Sequence, residues 1–277
     1  MTITPTIQQS LAAAGDTNPN KHPIQYMDTV DAYNKWAEIY DTDGNFLQAL
    51  DTLELRTLLP AFLHRVEDTT ATIANKTLID LGCGTGRNTL HLMHHAPPTS
   101  QIIGLDASPG MLDVARKRIA EVDPDAGTGS APRVRLAVLD LLTPDPGVLA
   151  SASADGMIST LVLEHVPLDQ FFMAVTALLK PGGYLLLTNM HAEMGAISQA
   201  GFVDPGSGRK IRPVSYSYGV AEVVRVAGEN GLEVVDLDGE EKVRERRVDE
   251  GMVGVLGERA RKWVGVVVWF GVCFRRI

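Results

Sequence analysis

Three aspartates, Asp80, Asp106 and Asp140, each close an apolar run, and three glycines, Gly82, Gly84 and Gly86, alternate directly after the first of them. The segment TLIDLGCGTGRNT (77–89) therefore reads as a strand that turns into a helix through a bare loop. Such a loop turns backbone N–H groups toward a ligand, and glycine permits an approach that a Cβ would block. Asp80, two places ahead of the first glycine, is placed to fix the loop by hydrogen bonds and to favour a cationic ligand. The spacing is not the dinucleotide fingerprint GxGxxG: the third glycine comes one residue early, and Arg87 stands where the last one belongs. A P-loop is excluded because no Lys-Ser or Lys-Thr pair follows. A plain strand-helix turn is the competing reading.

Asp106 lies 20 residues after Gly86 in GLDAS, where a carboxylate suits a two-oxygen grip on ribose hydroxyls. Met111, in the next helix's first turn, either covers an adenine face or packs in the core. Asp140 in VLDLL either accepts a hydrogen bond from an exocyclic adenine amine or caps the following helix. His165 and His191 follow the fourth and fifth strands; each is a candidate general base or substrate contact, against a histidine bonded to backbone at a strand end. His91 and His95 are four apart on one helix, a possible metal pair with no third ligand nearby in sequence, and no metal is assigned.

These residues need elements to position them. Strands are expected over Thr77–Leu81, Gln101–Leu105, Arg133–Leu139, Gly156–Thr160 and Gly183–Asn189. Helices are expected between them over Arg87–His95, Pro109–Val122, Asp145–Ala150 and Leu168–Leu179. This alternation implies a parallel, doubly wound α/β sheet, which binds ligands beyond the carboxyl ends of its strands. Ahead of it, Ala32–Leu63 is helical, broken into two helices at Asp43-Gly44-Asn45. Behind it come a hairpin (Ala200–Val203 with Lys210–Val214), a helix over Ser217–Asn230, a strand over Leu232–Leu237, a charge run through Arg247 read as a solvated face, a helix near Glu250–Lys262, and the apolar strand Trp263–Phe274.

The chain has 277 residues, 45% of them hydrophobic, enough for one large α/β domain with additions. A net charge of −9 argues against nucleic acid as a partner. The two cysteines, one inside the glycine loop, argue for a reducing compartment. No secretory or mitochondrial leader is visible, and the run 263–274 is too short for a membrane helix, so a cytoplasmic protein without membrane contact is expected.

Together DLGCGTGR, GLDAS, VLDLL, STLVLEHV and LKPGGYLLLT resemble, in order and spacing, the class I S-adenosylmethionine-dependent methyltransferases, over roughly residues 76–189. The resemblance is nearest to the small-molecule branch, since the Asn/Asp-Pro-Pro-Tyr motif is replaced by Ser159-Thr160-Leu161. It implies a mostly parallel, seven-stranded Rossmann-like sheet with an antiparallel last strand, and S-adenosylmethionine as cofactor with S-adenosylhomocysteine as product. Gly82, Cys83, Gly84 and Gly86 would wrap the methionine part, with Asp80 behind them near its ammonium. Asp106, with Ala107 beside it, would hold the ribose. Asp140 and Leu141 would flank the adenine, and Thr160 would lie near the sulfonium.

On this reading residues 1–25 are a mobile tail, 26–75 a helical cap, and 76–277 the core with a hairpin insertion near 198–216. No Phe, Tyr or Trp occurs between Leu63 and Gln170, so aromatic residues crowd into the cap and the region after the fifth strand. Trp36, Tyr26, Phe202 and Tyr216 are the candidate substrate contacts, and Tyr40 touches the cofactor; the competing reading is glue between helices and sheet. The acceptor is expected to be a small aromatic or apolar molecule, and the protein a monomer or homodimer. A protein methyltransferase, a non-methylating regulator of the same fold, and a dehydrogenase are the alternatives.

Overall fold

The computed structural model describes residues 4–13, 23–68, 75–126, 132–151, 153–237, 239 and 241–277. The chain opens with α1 (Ile7–Ala13), β1 (Ile24–Tyr26), α2 (Thr29–Trp36) and α3 (Phe46–Asp68). Next, β2 (Thr77–Leu81), α4 (Arg87–His95), β3 (Gln101–Asp106), α5 (Pro109–Val122), β4 (Val134–Val138), α6 (Pro146–Ser151), β5 (Ala154–Thr160), α7 (Leu168–Leu178) and β6 (Leu179–Met190) alternate. Then follow α8 (Ala192–Gly195), β7 (Phe202–Val203), β8 (Lys210–Arg212), α9 (Val220–Glu229), β9 (Leu232–Val235), β10 (Val243–Arg247), α10 (Glu250–Leu256) and β11 (Val267–Arg276).

The large sheet runs β10-β11-β6-β5-β2-β3-β4, with β9 also paired to β11. The links β4–β3–β2–β5–β6 are parallel, and β11 lies antiparallel to β6. The fold is thus the expected doubly wound α/β sheet with an antiparallel last strand. Eight strands form it rather than seven, because two short strands share one edge of β11: β9 covers Cys273–Arg276 and β10 covers Val267–Val272. The chain leaves the ladder between them near Asp236, which turns out to pair with Arg65 of α3 at 3.0 Å.

The central strands are buried on both faces, and alternate residues feed two cores. Leu78, Ile102, Ile158 and Leu186 face α3, α4 and α5. Ile79, Ile103, Met157 and Leu185 face α7 and α9. A smaller cluster joins Trp36 and Ala32 of α2 to Met111 and Phe202, fixing the cap to the sheet.

Two expectations need correction. The tail does not run unbroken to residue 25: Ile7–Ala13 is helical, Ile7 is buried, its N–H bonds Ser215 O at 2.8 Å, and Thr6 bridges to Tyr216. One well-placed isoleucine supplies the docking that the polar composition concealed; residues 14–22 lie outside the described residues. The charge run before Arg247 is not wholly solvated. Arg244 and Arg246 of β10 pair with the buried Glu54 of α3 at 3.2 and 2.5 Å, so they fasten the edge strand to the cap.

Candidate active site

The loop after β2 is held by its neighbour strand. Gly82 N and Cys83 N both donate to Leu105 O, at 2.7 and 3.0 Å, and Gly84 N donates to Asp106 Oδ2 at 2.8 Å. Gly82 has φ 75° and a Cβ there would meet Val162 at 2.1 Å, so this glycine is demanded by the protein itself. Gly84 has φ 54° and nothing within 4 Å of a would-be Cβ, and it lines a cavity. That is the cradle where a ligand takes the space. Gly86 caps α4 and packs on Ala115 of α5, away from the cavity.

Asp80 sits behind the loop, buried, accepting from Thr89 Oγ1 at 2.7 Å; burial lifts its pKa to about 7. It ties strand to helix and does not line the cavity. Cys83 also points inward, against Gly104, and burial raises its thiol pKa, so it offers no thiolate.

The cavity encloses about 870 Å³ out to its open mouth. Asp106, Ala107, Met111, Asp140, Leu141, Thr160, Tyr40 and His165 line it. Asp106 is preorganised: its oxygens accept from Gly84 N and Ser108 N, both at 2.8 Å, and each retains a further lone pair. Burial raises its pKa. Asp140 accepts from Leu142 N and Thr143 Oγ1, both at 2.9 Å; it therefore shapes its own turn rather than capping α6. Met111 is fully buried, packs with Trp36 and lines the cavity. Thr160 accepts from Asn88 Nδ2 at 2.7 Å.

Helix α2 roofs this cavity. Asn34 Oδ1 accepts from Ser108 Oγ and Gly110 N at 2.7 and 2.9 Å, and Asp41 bridges Thr85 Oγ1 and Arg118 at 3.0 and 2.9 Å. The roof is thus bolted to the glycine loop and to α5. Below it, Tyr33 Oη lies 2.7 Å from His165 Nε2, and His165 Nδ1 lies 2.8 Å from Val214 O. A carbonyl only accepts, so Nδ1 carries the proton and Nε2 accepts from the tyrosine. Burial lowers the His165 pKa to about 4, keeping it neutral. Both nitrogens are engaged, so His165 is a buried anchor for Tyr33 rather than an open base.

A second cavity of about 770 Å³ adjoins the first, and Tyr33, Tyr40 and Leu161 line both. Trp36, Phe46, Met190, Met194 and Trp263 supply its apolar wall. Trp36 donates to Asp43 Oδ2 at 2.9 Å and stacks on Phe202 with centroids 4.9 Å apart. Phe202 therefore backs the wall without lining it. Tyr26, 40% exposed on β1, and Tyr216, stacked on Tyr218, line neither cavity.

His191 is also elsewhere. Its Nδ1 accepts from Glu193 N at 3.1 Å as the cap of α8, and its Nε2 lies 3.4 Å from Glu245. It lines neither cavity: its ring is turned to Glu245 of β10, while Met190 and Met194 on either side face the second cavity. His91 and His95 stack on α4, and among the described residues no group of three or more His, Cys, Asp or Glu is arranged to hold a metal ion.

Four residues take roles in the structure that local sequence pattern does not assign. Tyr33 divides the cavities. Leu161 does too, at φ 57°, the one positive φ outside glycine among the described residues and a strain of order 1–3 kcal/mol. Glu164, beside His165 in a 3₁₀ turn, faces the second cavity. Asp51, fully buried on α3, accepts from Thr188 Oγ1, Trp269 Nε1 and Arg87 at 2.6, 3.0 and 2.7 Å and so locks α3 to the sheet. Asp51 and Glu54 fall within the apolar stripe Leu47, Leu50, Leu55, Leu58, and acids on a core-facing stripe are the signal that finds such a lock.

The methyltransferase domain family matches residues 79–185. A protein named as an uncharacterized methyltransferase of Emericella nidulans is 57% identical over 282 residues, 96% of this chain and 98% of its own. Trans-aconitate 2-methyltransferase of Methylobacterium radiotolerans is 31% identical over 160 residues, 52% of this chain and 55% of its own. The crystal structure of magnesium protoporphyrin IX methyltransferase from Synechocystis PCC 6803 with bound SAH aligns over 90% of this chain and 97% of its own, with TM-score 0.51 and 16% identity, a likeness of fold. The chain belongs to the class I S-adenosylmethionine-dependent methyltransferase family. That membership sets aside the dehydrogenase reading. The first cavity's chemistry fits the cofactor: a cradle left open at Gly84, carboxylates at Asp106 and Asp140 that favour a cation, and an apolar floor from Met111 and Leu141. Among the described residues no helix is long and apolar enough to cross a membrane.

Proposed function

We propose that the protein methylates a small aromatic or apolar molecule bound in the second cavity, by in-line displacement on S-adenosylmethionine bound in the first. The observation that carries this reading is the shared wall of Tyr33, Tyr40 and Leu161 between two adjoining cavities. When bound, the cofactor supplies a methyl group on a sulfonium, already a good leaving group. In this assignment Gly82, Gly84 and the loop backbone hold the methionine part, Asp106 the ribose, and Asp140, Leu141 and Met111 the adenine. Thr160 and Leu161, at the end of β5, border the passage to the acceptor. The protein's contribution is chiefly positional: fixing two reactants in line is worth effective molarities of about 10⁵ M or more. Peptide substrates suit this arrangement poorly, since α2, α8 and the β7–β8 hairpin wall the second cavity.

The test is calorimetric titration with S-adenosylmethionine, S-adenosylhomocysteine and NADH, followed by transfer of labelled methyl to a panel of aromatic acids, phenols, amines and thiols. Micromolar binding of the first two ligands, none of NADH, and a labelled small product are expected. Label appearing only in protein would sink the small-molecule reading.

A further inference from the structure

Three side chains lining the second cavity carry buried polar atoms without a hydrogen-bond partner. They are Glu164 Oε2, Gln199 Oε1 and Trp263 Nε1, and the residues are 4%, 5% and 2% exposed. A buried polar atom left unmade costs about 1–3 kcal/mol, and three residues that carry one border this single cavity. Two of the atoms are acceptors and one is a donor. A ligand that met all three would offer hydrogens to Glu164 and Gln199 and a lone pair to Trp263. The aromatic and methionine side chains share the wall with Asp43, Asn45, Ser198, Arg259 and Lys262, a mixed lining that suits a flat ring bearing polar groups.

Resting on the proposed function, we infer that the acceptor is an aromatic molecule presenting an O–H or N–H to Glu164, and that Glu164 is the general base of methyl transfer. The acceptor heteroatom forms its bond to the methyl carbon while the methyl–sulfur bond breaks, its electron pair staying on sulfur. The proton of the heteroatom passes to Glu164 Oε2. One positive charge on sulfur and one negative charge on the carboxylate are cancelled together, leaving a neutral thioether, a neutral carboxyl and the methylated product.

The local structure supports the role. Glu164 and His165 are consecutive in one 3₁₀ turn, so the histidine serves the first cavity while the glutamate reaches the second. Asn189 stands near the carboxyl and partly offsets the effect of burial on it. Burial and the charge of Asp51 lift the Glu164 pKa to about 7, where a base is half ionised and strong enough to accept a proton. Tyr33 and Tyr40 stand close enough to interact with it, and Asp43, Lys210, Arg259 and Lys262 line the same cavity.

The experiment compares the wild-type protein with Glu164→Gln and Glu164→Asp. The first readout is calorimetric binding of 2-naphthol and of its methyl ether with S-adenosylhomocysteine present. Wild type is expected to prefer the naphthol by tenfold or more, and Glu164→Gln to lose that preference while binding the nucleoside ligand normally. The second readout is labelled methyl transfer to naphthols and aminonaphthalenes. Glu164→Gln should lower kcat by about 10²-fold or more, and Glu164→Asp should recover part of the loss. The wild-type rate should rise as pH increases through about 7, because the carboxylate is the active form, and Glu164→Gln should lack that rise. Turnover by Glu164→Gln at the wild-type rate, or equal affinity of wild type for naphthol and its ether, overturns the base while leaving the small-molecule reading intact. If wild type methylates no member of the panel, the small-molecule reading falls and this inference falls with it.

Discussion

The two cavities are built by different means. The first takes its floor from residues 81–84, 106–111, 139–142 and 160–166, which are successive strand ends of one sheet, and only its roof from α2. The second gathers residues 33–47, 161–164, 190–201, Lys210 and 259–263, segments that no single topological rule brings together. On the proposed assignment, a cofactor shared by a family meets the fold's own geometry, whereas an acceptor peculiar to one protein meets added elements. Carboxylates at strand ends line the first cavity. Aromatic side chains of the cap line the second.

Four substitutions probe this contrast. The largest effect is expected from Asp51→Ala. It removes the charged partner of Arg87 Nη2 and the acceptor of Thr188 and Trp269, and should cost about 3–5 kcal/mol of unfolding free energy in urea. A loss below about 1 kcal/mol would show that α3 is not fixed through this aspartate. Asp106→Ala comes next. Removing two charged hydrogen bonds to ribose should weaken S-adenosylmethionine by about 100-fold in calorimetry, with little change in acceptor affinity. Unchanged cofactor affinity would refute the ribose assignment. Trp36→Phe removes the bond to Asp43 but keeps the stack on Phe202. Acceptor KM should rise about tenfold, or roughly 1.4 kcal/mol, with cofactor Kd within twofold; a shift in cofactor Kd alone would place Trp36 with the wrong cavity. The smallest effect belongs to His191→Ala, which removes a cap from a four-residue helix and should cost about 1 kcal/mol or less. A large fall in kcat with unchanged stability would return His191 to the active site.

Legibility followed the same division. Gly84, Asp106, Ala107, Asp140, Leu141 and Thr160 were readable because strand ends in an α/β alternation fall together, and each residue needs only its own strand to be placed. Tyr33 and His165 are 132 residues apart and Asp51 and Trp269 218 apart, so their meeting is invisible to local pattern. His191 misled for a related reason. Strand-end logic put it beside the ligand, but the chain past Met190 turns aside into α8, and its imidazole caps that helix. The charge run through Arg247 was read as solvated because Glu54 lies nearly 200 residues upstream.

The sequence by itself determined the strand–helix alternation, the glycine loop and the carboxylates beside it, since periodicity and backbone sterics act over a few residues. Only the tertiary structure decided where the cap lies, which aromatic residues form the second wall, and which buried acids are locks and which is left open. Those outcomes depend on desolvation and on partners from distant segments. A carboxylate such as Asp51 or Glu164 acquires its role from what the fold places against it, and one of the two still lacks a partner at Oε2.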